Sequence, residues 1–412
     1  MKQITVPLGP QHPSLVQPGA FSVTLEGDRI TAVSLAAGYN HRGLEKTCEA
    51  HSYKQDIYII ERICGICSHT HSMTYCQAVE ELAGVTISRR AAYIRLITAE
   101  LERLQSHLMW LGVAAHEIGF DALFMYSWRD RERVLDCLCA LGGNRVNYGV
   151  NTLGGVKRDI DANLASSLRD MVSYIEERNK YYTELVRGDV MLSNRLRGVG
   201  LLSREEAERL GVVGPIARAS GLERDVRLLE PYAAYDRLVP ALCTDQRGDV
   251  YGRTLVRLAE LDASLDLIRQ ALIELPNGPL CVDLPARIPV GEAMSRTEAP
   301  RGENIHYLRS RGGEAPDRLR VRAASDANLV AMEQMLLGNY LADVPLIVAA
   351  LDPCYSCAER CYIQDGGQER EWDWRRLRQY GLDWHRSRGF FPEKLRLAGR
   401  SLISLPTAPR RS

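Results

Sequence analysis

Two cysteine pairs of the same spacing sit near opposite ends of the chain. Cys64-Gly65-Ile66-Cys67 lies within Arg62-Ile63-Cys64-Gly65-Ile66-Cys67-Ser68-His69-Thr70-His71, and Cys354-Tyr355-Ser356-Cys357 lies within Asp352-Pro353-Cys354-Tyr355-Ser356-Cys357-Ala358-Glu359-Arg360. Two intervening residues let both sulfurs of a pair turn toward one metal. Two such pairs supply four thiolates, which select zinc, iron–sulfur, copper(I) or nickel-type centres. Spacing alone does not choose among these metals. A four-cysteine zinc knuckle is the bland alternative, but zinc ribbons usually place their pairs tens of residues apart. Here 290 positions separate corresponding cysteines of the two pairs, which favours a cofactor held between distant segments of a large core.

With 412 residues, the chain can form one large domain or two ordinary ones. Its 45% hydrophobic and 25% charged residues are an ordinary globular balance, and its formal net charge of zero gives no footing for nucleic acid as a partner. No apolar run approaches the roughly 20 residues that span a bilayer. Met1-Lys2-Gln3-Ile4-Thr5 lacks the apolar stretch of a signal peptide. A cytoplasmic location is therefore expected, with any membrane attachment supplied by partners. Seven cysteines lie outside the pairs: Cys48, Cys76, Cys137, Cys139, Cys243, Cys281 and Cys361. They share no spacing and read mostly as small buried apolar residues rather than a disulfide framework.

Phe21, Val23 and Leu25 alternate with polar residues, Glu26-Gly27-Asp28-Arg29 offers a turn, and residues 30–35 resume a strand-like run. This predicts a small N-terminal sheet. Ile94, Ile97, Leu101, Leu104, Leu108 and Leu111 recur at steps of three and four, predicting a long helix with a narrow apolar stripe. Ser203-Arg204-Glu205-Glu206 reads as a capping box, with Gly211 closing a short helix. Residues 159–182, 250–275 and 328–338 also read as helical, and 346–351 as a short apolar run delivering the second cysteine pair. The fold class expected is mostly α with a small β-rich N-terminal part: residues 1–50 β-rich, 51–360 mainly helical. Residues 361–412 carry 11 Lys and Arg against 6 Asp and Glu, a basic extension of net +5 with helical character near 372–382.

The flanks of the cysteines carry more information than their spacing. R-x-C-G-x-C-x-x-x-H followed by D-P-C-x-x-C-x-x-R resembles the large subunit of [NiFe] hydrogenases. More particularly, it is similar to the membrane-associated, energy-converting branch, which is homologous to the 49 kDa subunit of complex I. Further segments carry the resemblance: Gly9-Pro10-Gln11-His12, His41-Arg42-Gly43-Leu44-Glu45-Lys46, Glu102-Arg103-Leu104-Gln105-Ser106-His107, Leu153-Gly154-Gly155-Val156, Gly214-Pro215-Ile216-Ala217-Arg218 and Glu298-Ala299-Pro300-Arg301-Gly302-Glu303.

The resemblance implies a helical-bundle large subunit for residues 1–360. It implies Cys64 and Cys354 as terminal ligands of nickel, and Cys67 and Cys357 as bridges to an iron carrying CO and cyanide. The activity implied is reversible heterolytic cleavage of H2, with Cys354 accepting the proton. Arg301 would lie over the metals and hydrogen-bond the cyanides, His71 would stand beside a cysteine sulfur, and Asp352 would orient the Cys354 loop. Glu45 would act near the C-terminal segment. His12 and His41 fall in segments shared with the quinone-pocket homologues, where capping or core hydrogen bonds are the simpler reading.

The chain holds no cluster-binding cysteines beyond the four, so electrons require an iron–sulfur small subunit with a [4Fe–4S] cluster. Integral membrane subunits would anchor the assembly on the cytoplasmic face. Three departures qualify the resemblance. Val16-Gln17-Pro18 has glutamine where relatives carry a proton-relay glutamate, and glutamine cannot exchange a proton at ordinary pH. The second motif ends in Arg360 rather than histidine. The chain also continues past Arg360, so that residues 361–412 read as a maturation peptide, removed by an endopeptidase once nickel-insertion proteins have acted, or as a retained docking extension. The alternative function is a metal-free, complex I-like module subunit serving a quinone- or ferredoxin-linked redox chain.

Overall fold

The computed structural model describes residues 3–12, 15, 17–358, 364–365, 368–369 and 374–387. The chain separates into two compact units, residues 1–361 and 362–412. In the second unit, Gln364–Asp365 pairs with Gln368–Glu369, and Trp374–Ser387 is a helix, close to the helical stretch expected there. Arg360 and Cys361 lie outside the described residues.

In the first unit, strands Gln3–Leu8, Ala20–Glu26 and Arg29–Ala36 form an antiparallel meander, as the alternation predicted. Phe21, Val23 and Leu25 point inward, and Gly27 turns the chain with φ 68°, a conformation that costs a Cβ-bearing residue energy. The inner face packs on the segment Val330–Leu336 and the helix Val344–Leu351 through Leu336, Val344, Val348 and Leu351.

Helix Arg89–Glu117 is the axis of the unit. Ser88 caps it, its hydroxyl accepting from the Ala91 backbone N–H at 3.1 Å. Around it lie helices Ser68–Ala83, Asp121–Gly142, Val250–Glu274 and Val344–Leu351. The predicted narrow stripe is an underestimate, because neighbours enclose this helix on all sides. Arg95, Glu100, Glu102, Arg103, Gln105 and His107 are buried together with the leucines. A Cβ at Gly112 would fall 2.4 Å from the Trp128 ring, so only glycine lets these two helices approach here. The expected helices near 159–182, 250–275 and 203–211 form as Ala162–Gly188, Val250–Glu274 and Arg204–Leu210, the last with Gly211 as its left-handed C-cap.

A second antiparallel sheet, Val290–Ala299, Gly302–Arg311 and Arg318–Arg322, lies within the region expected to be mainly helical. It was illegible because its inward row is polar. Ser295 pairs with His306 and Thr297 with Asn304, and all four are buried against helix Ser68–Ala83. Pro300 and Arg301 form the two-residue turn between the first two strands, which puts Arg301 at a hairpin tip.

Candidate metal centre

Each cysteine pair sits at a helix end. Cys67 occupies the N-cap position of helix Ser68–Ala83, and the backbone N–H groups of Ile66 and Cys67 lie 3.2 and 3.4 Å from Cys64 Sγ. A helix N-terminus and backbone donors favour a thiolate over a thiol. Buried Glu102 holds this terminus in place by accepting from the N–H of His69 at 2.7 Å and of Thr70 at 3.2 Å. Burial pushes the Glu102 carboxyl up to about 8. The second pair follows helix Val344–Leu351, whose C-cap, Asp352, turns the chain with φ 56°. The Cys354 N–H donates to Ser325 Oγ at 2.8 Å. Arg42 links the two loops: its guanidinium donates to the carbonyls of Arg62 (2.9 Å), Ile63 (2.8 Å) and Ser356 (3.2 Å).

Although 290 positions separate the paired segments, the structure brings all four sulfurs together. Sγ separations are 3.4 Å for Cys64–Cys354, 3.6 Å for Cys67–Cys357 and 2.9 Å for Cys354–Cys357. All four are buried and none is in a disulfide. Hydrogen bonds from the other three sulfurs, then Arg301, hold the Cys354 thiol well below its usual range, whereas the thiols of Cys67 and Cys357 are pushed up. Four thiolates this close would repel one another unless a cation lay among them. Sulfurs about 2.3 Å from a shared tetrahedral metal stand roughly 3.7 Å apart, so the two longer separations fit metal ligation with little movement. The donor set therefore fits a soft metal site.

His71 Nε2 lies 3.5 Å from Cys357 Sγ, and His71, Cys67 and Cys357 converge closely enough to hold an ion. Arg301, 6% exposed, donates through Nε to the Asp352 carbonyl at 2.9 Å and through Nη2 to Asp352 Oδ1 at 2.8 Å. Burial opposes its charge, but Asp352 and then Cys354 outweigh burial and raise its pKa. Arg301 Nη1 and Asp352 Oδ2 have no hydrogen-bond partner among the described residues. Gln17 accepts from the Ser356 N–H at 2.8 Å, which turns its amide nitrogen toward Cys354 Sγ, 3.9 Å away. Gln17, Arg301 and Asp352 line a cavity of about 40 Å³ whose other walls include Leu15, Ile66, Met109 and Trp110.

Other expected residues fall elsewhere. Glu45 accepts from the Val321 N–H at 2.8 Å and from Arg320 at 2.9 Å, contacts that support the second sheet, while the C-terminal segment expected near it lies mostly outside the described residues. His12 lines an apolar cavity with Val6, Leu8, Phe21 and Val344, and His41 is exposed. Of the remaining cysteines, Cys48, Cys76 and Cys137 are buried as expected, but Cys281 is exposed. Sequence reasoning missed Arg42 as the link between loops, and His306, whose Nε2 lies 3.2 Å from His71 Nδ1. The signal for His306 was the period-two alternation after Arg301, which faces Asn304, His306, Leu308 and Ser310 inward.

Comparison with known proteins shows the family to which this chain belongs. Residues 42–112 match the nickel-dependent hydrogenase family, and residues 117–287 and 282–360 match the family described as respiratory-chain NADH dehydrogenase, 49 Kd subunit. The chain is 41% identical to the membrane-bound hydrogenase subunit alpha of Pyrococcus furiosus, covering 89% of this chain and 90% of that one. It is 38% identical to the carbon monoxide-induced hydrogenase of Rhodospirillum rubrum (87% and 100%) and 36% identical to an NADH-quinone oxidoreductase subunit of Desulfitobacterium hafniense (85% and 95%). A chain of the membrane-bound sulfane sulfur reductase, an archaeal respiratory membrane complex, superposes with a TM-score of 0.83 at 32% identity, covering 87% of this chain and 98% of that one. Among the described residues no helix is long and apolar enough to cross a membrane. The chain belongs to the oxidoreductase family that unites the large subunits of membrane-associated [NiFe] hydrogenases with the 49 kDa subunit of complex I.

Proposed function

We propose that this chain is the catalytic subunit of a [NiFe] hydrogenase that interconverts H2 with two protons and two electrons. The observation that carries the reading is the convergence of four buried sulfurs near Arg301, which feels their charge and whose Nη1 has no partner among the described residues. Cys64, Cys67, Cys354 and Cys357 would hold nickel and iron, with Arg301 Nη1 available to the cyanides. When bound, that group supplies the redox-active position at which dihydrogen is polarised.

The chain's own residues do the rest. Cys354 Sγ, which Gln17 and the Arg301-pinned loop position, would hold one proton of the cleaved H2. The fixed charge of Arg301 stabilises negative charge at the centre, and its hydrogen bonds to Asp352 pin the loop carrying Cys354. The cavity beside Arg301 is small and largely apolar, which suits a small neutral molecule better than an ion. Gln17 can donate to the Cys354 sulfur but cannot carry its proton away. The two electrons leave to an iron–sulfur partner bearing a [4Fe–4S] cluster, and integral membrane partners hold the assembly on the cytoplasmic face of the membrane.

The test is metal analysis with infrared spectroscopy of the complex purified with its native partners. Nickel and iron with CO and cyanide stretching bands are expected. Their absence from the mature complex would instead favour a metal-free module like that of the NADH-quinone oxidoreductase relatives. Residues 361–412 are proposed as a maturation peptide, and intact-mass measurement of the mature protein should show their loss.

A further inference from the structure

We infer that His306 is a positioning residue that selects the tautomer of His71, and through it the hydrogen bond that His71 gives to Cys357. The inference rests on the metal reading above. His71 stands between two partners: its Nε2 is 3.5 Å from Cys357 Sγ and its Nδ1 is 3.2 Å from His306 Nε2. Both rings are buried, with centroids 5.5 Å apart and tilted by 45°.

A neutral imidazole has one N–H, so the chain of hydrogen bonds can run in only two directions. In one, His71 donates from Nδ1 to His306. Its bare Nε2 lone pair then faces a sulfur lone pair, and the His306 proton sits on Nδ1, which has no partner among the described residues. In the other, His306 donates from Nε2 to His71 Nδ1, and His71 donates from Nε2 to the Cys357 sulfur. The second direction removes the lone-pair repulsion and leaves no N–H stranded, only an acceptor. A buried donor or acceptor without a partner is unfavourable, and the first direction carries that burden on the donor as well as at the sulfur.

Among the described residues no polar neighbour bonds to His306 Nδ1, so none serves the first direction. Asn304 donates to Thr74 Oγ1 at 2.9 Å, and Thr74 and Thr297 share a hydrogen bond of 2.6 Å. Asn304 Oδ1 is left without a partner among the described residues, and it makes no hydrogen bond with His306 Nδ1. His306 is held on its strand by pairing with Ser295 on one side and Val321 on the other, so its ring is aimed by the sheet and not by a loop. An orienting partner of this kind fixes both the ring and the donor strength of the group it serves. An N–H donated to Cys357 withdraws electron density from that sulfur. The second sheet thereby tunes the thiolate without touching it.

The test is infrared spectroscopy of the complete, metal-loaded complex carrying His306→Leu, His306→Gln or His71→Leu. Loss of the donor makes the sulfur a stronger donor to iron, so His306→Leu should move the CO band to lower wavenumber, in the direction of His71→Leu. His306→Gln offers an amide N–H near the same place and should return the band to its unsubstituted position. An unshifted band in His306→Leu at full nickel content overturns the inference. So does an identical shift in both His306 variants, or loss of metal from both, which would assign His306 to folding alone. Absence of CO and cyanide bands from the unsubstituted complex overturns the metal reading and this inference together, and is seen before any variant is compared.

Discussion

Replacing Gln17 by glutamate probes how protons leave the centre. Its carbonyl oxygen is committed to the Ser356 N–H at 2.8 Å, so the amide nitrogen is the atom facing Cys354 Sγ at 3.9 Å. Gln17→Glu keeps the first bond with one oxygen and brings a second, titratable oxygen to the sulfur. Direct transfer works best at roughly 2.6–3.2 Å, so the carboxyl must close by about 1 Å or use a bridging water. The adjoining cavity of about 40 Å³ has room for either. General acid–base groups contribute about 10²- to 10⁴-fold, and the long starting distance argues for the low end, about 10²-fold, or ~2.7 kcal/mol of barrier. H2/D⁺ exchange by the loaded complex should rise accordingly, with nickel content and infrared bands retained. Unchanged exchange in a fully loaded variant would refute the reasoning and place the limiting proton step away from Gln17.

Three further outcomes are expected. Cys354→Ser should lose nickel, measured as metal content per chain, because a serine hydroxyl remains protonated where the thiol is the most acidic of the four. Arg301→Lys should keep the metals but slow turnover at least about tenfold, ~1.4 kcal/mol, because an ammonium cannot reproduce the two-pronged contact with Asp352. Asp56→Asn should flatten the pH dependence of stability. Burial raises the Asp56 carboxyl to about 8, despite the Tyr75 hydroxyl bond of 3.1 Å. A carboxyl raised in the folded state stabilises fully below its unfolded value near pH 4, and that stability is lost as pH climbs toward 8, at about 1.4 kcal/mol per unit. Urea unfolding at pH 5 and pH 7 should therefore show a smaller loss in the variant than in the unsubstituted protein.

The sequence made the long helices and the N-terminal meander legible because each rests on a local period, such as Ile94 to Leu111 or Phe21 to Leu25. The four cysteines were legible because chemistry restricts such a site to a few residue types at fixed spacing, whereas Arg301 was singled out only by the resemblance to the hydrogenase family. The second sheet was not, since Ser295, Thr297, Asn304 and His306 face inward as polar residues, the last three with partners on helix Ser68–Ala83. A polar inward row reads as solvent-facing until its partners are known. The link through Arg42 was equally hidden, because it donates only to backbone carbonyls and no residue type on the far side announces it.

The buried charges around helix Arg89–Glu117 make the same point about position. Glu100, Asp225, Glu260 and Glu298 share three guanidiniums, those of Arg103, Arg218 and Arg227. Burial opposes ionisation throughout, yet Arg227 holds Asp225 below the usual carboxylate range and Arg218 does the same for Glu260. Glu298 goes the other way, raised by burial and then by Asp225. Four acids against three arginines leave one acid in excess, and Glu298 is the one that best retains a proton. Buried ion pairs of this kind contribute little net stability relative to well-packed apolar residues, so their use here is better understood as geometric. Arg103 donates to the carbonyls of Glu298 at 2.8 Å and Ala299 at 3.2 Å, and Arg218 holds the Glu298 side chain at 2.7 Å. On the far side of the turn, Gly214 packs so closely that a Cβ there would fall 2.3 Å from the Arg301 carbonyl oxygen. The strand end that precedes Pro300 is thus clamped from two directions. The network fixes where the hairpin tip points, and the hairpin tip is what carries the Arg301 guanidinium to the cysteines.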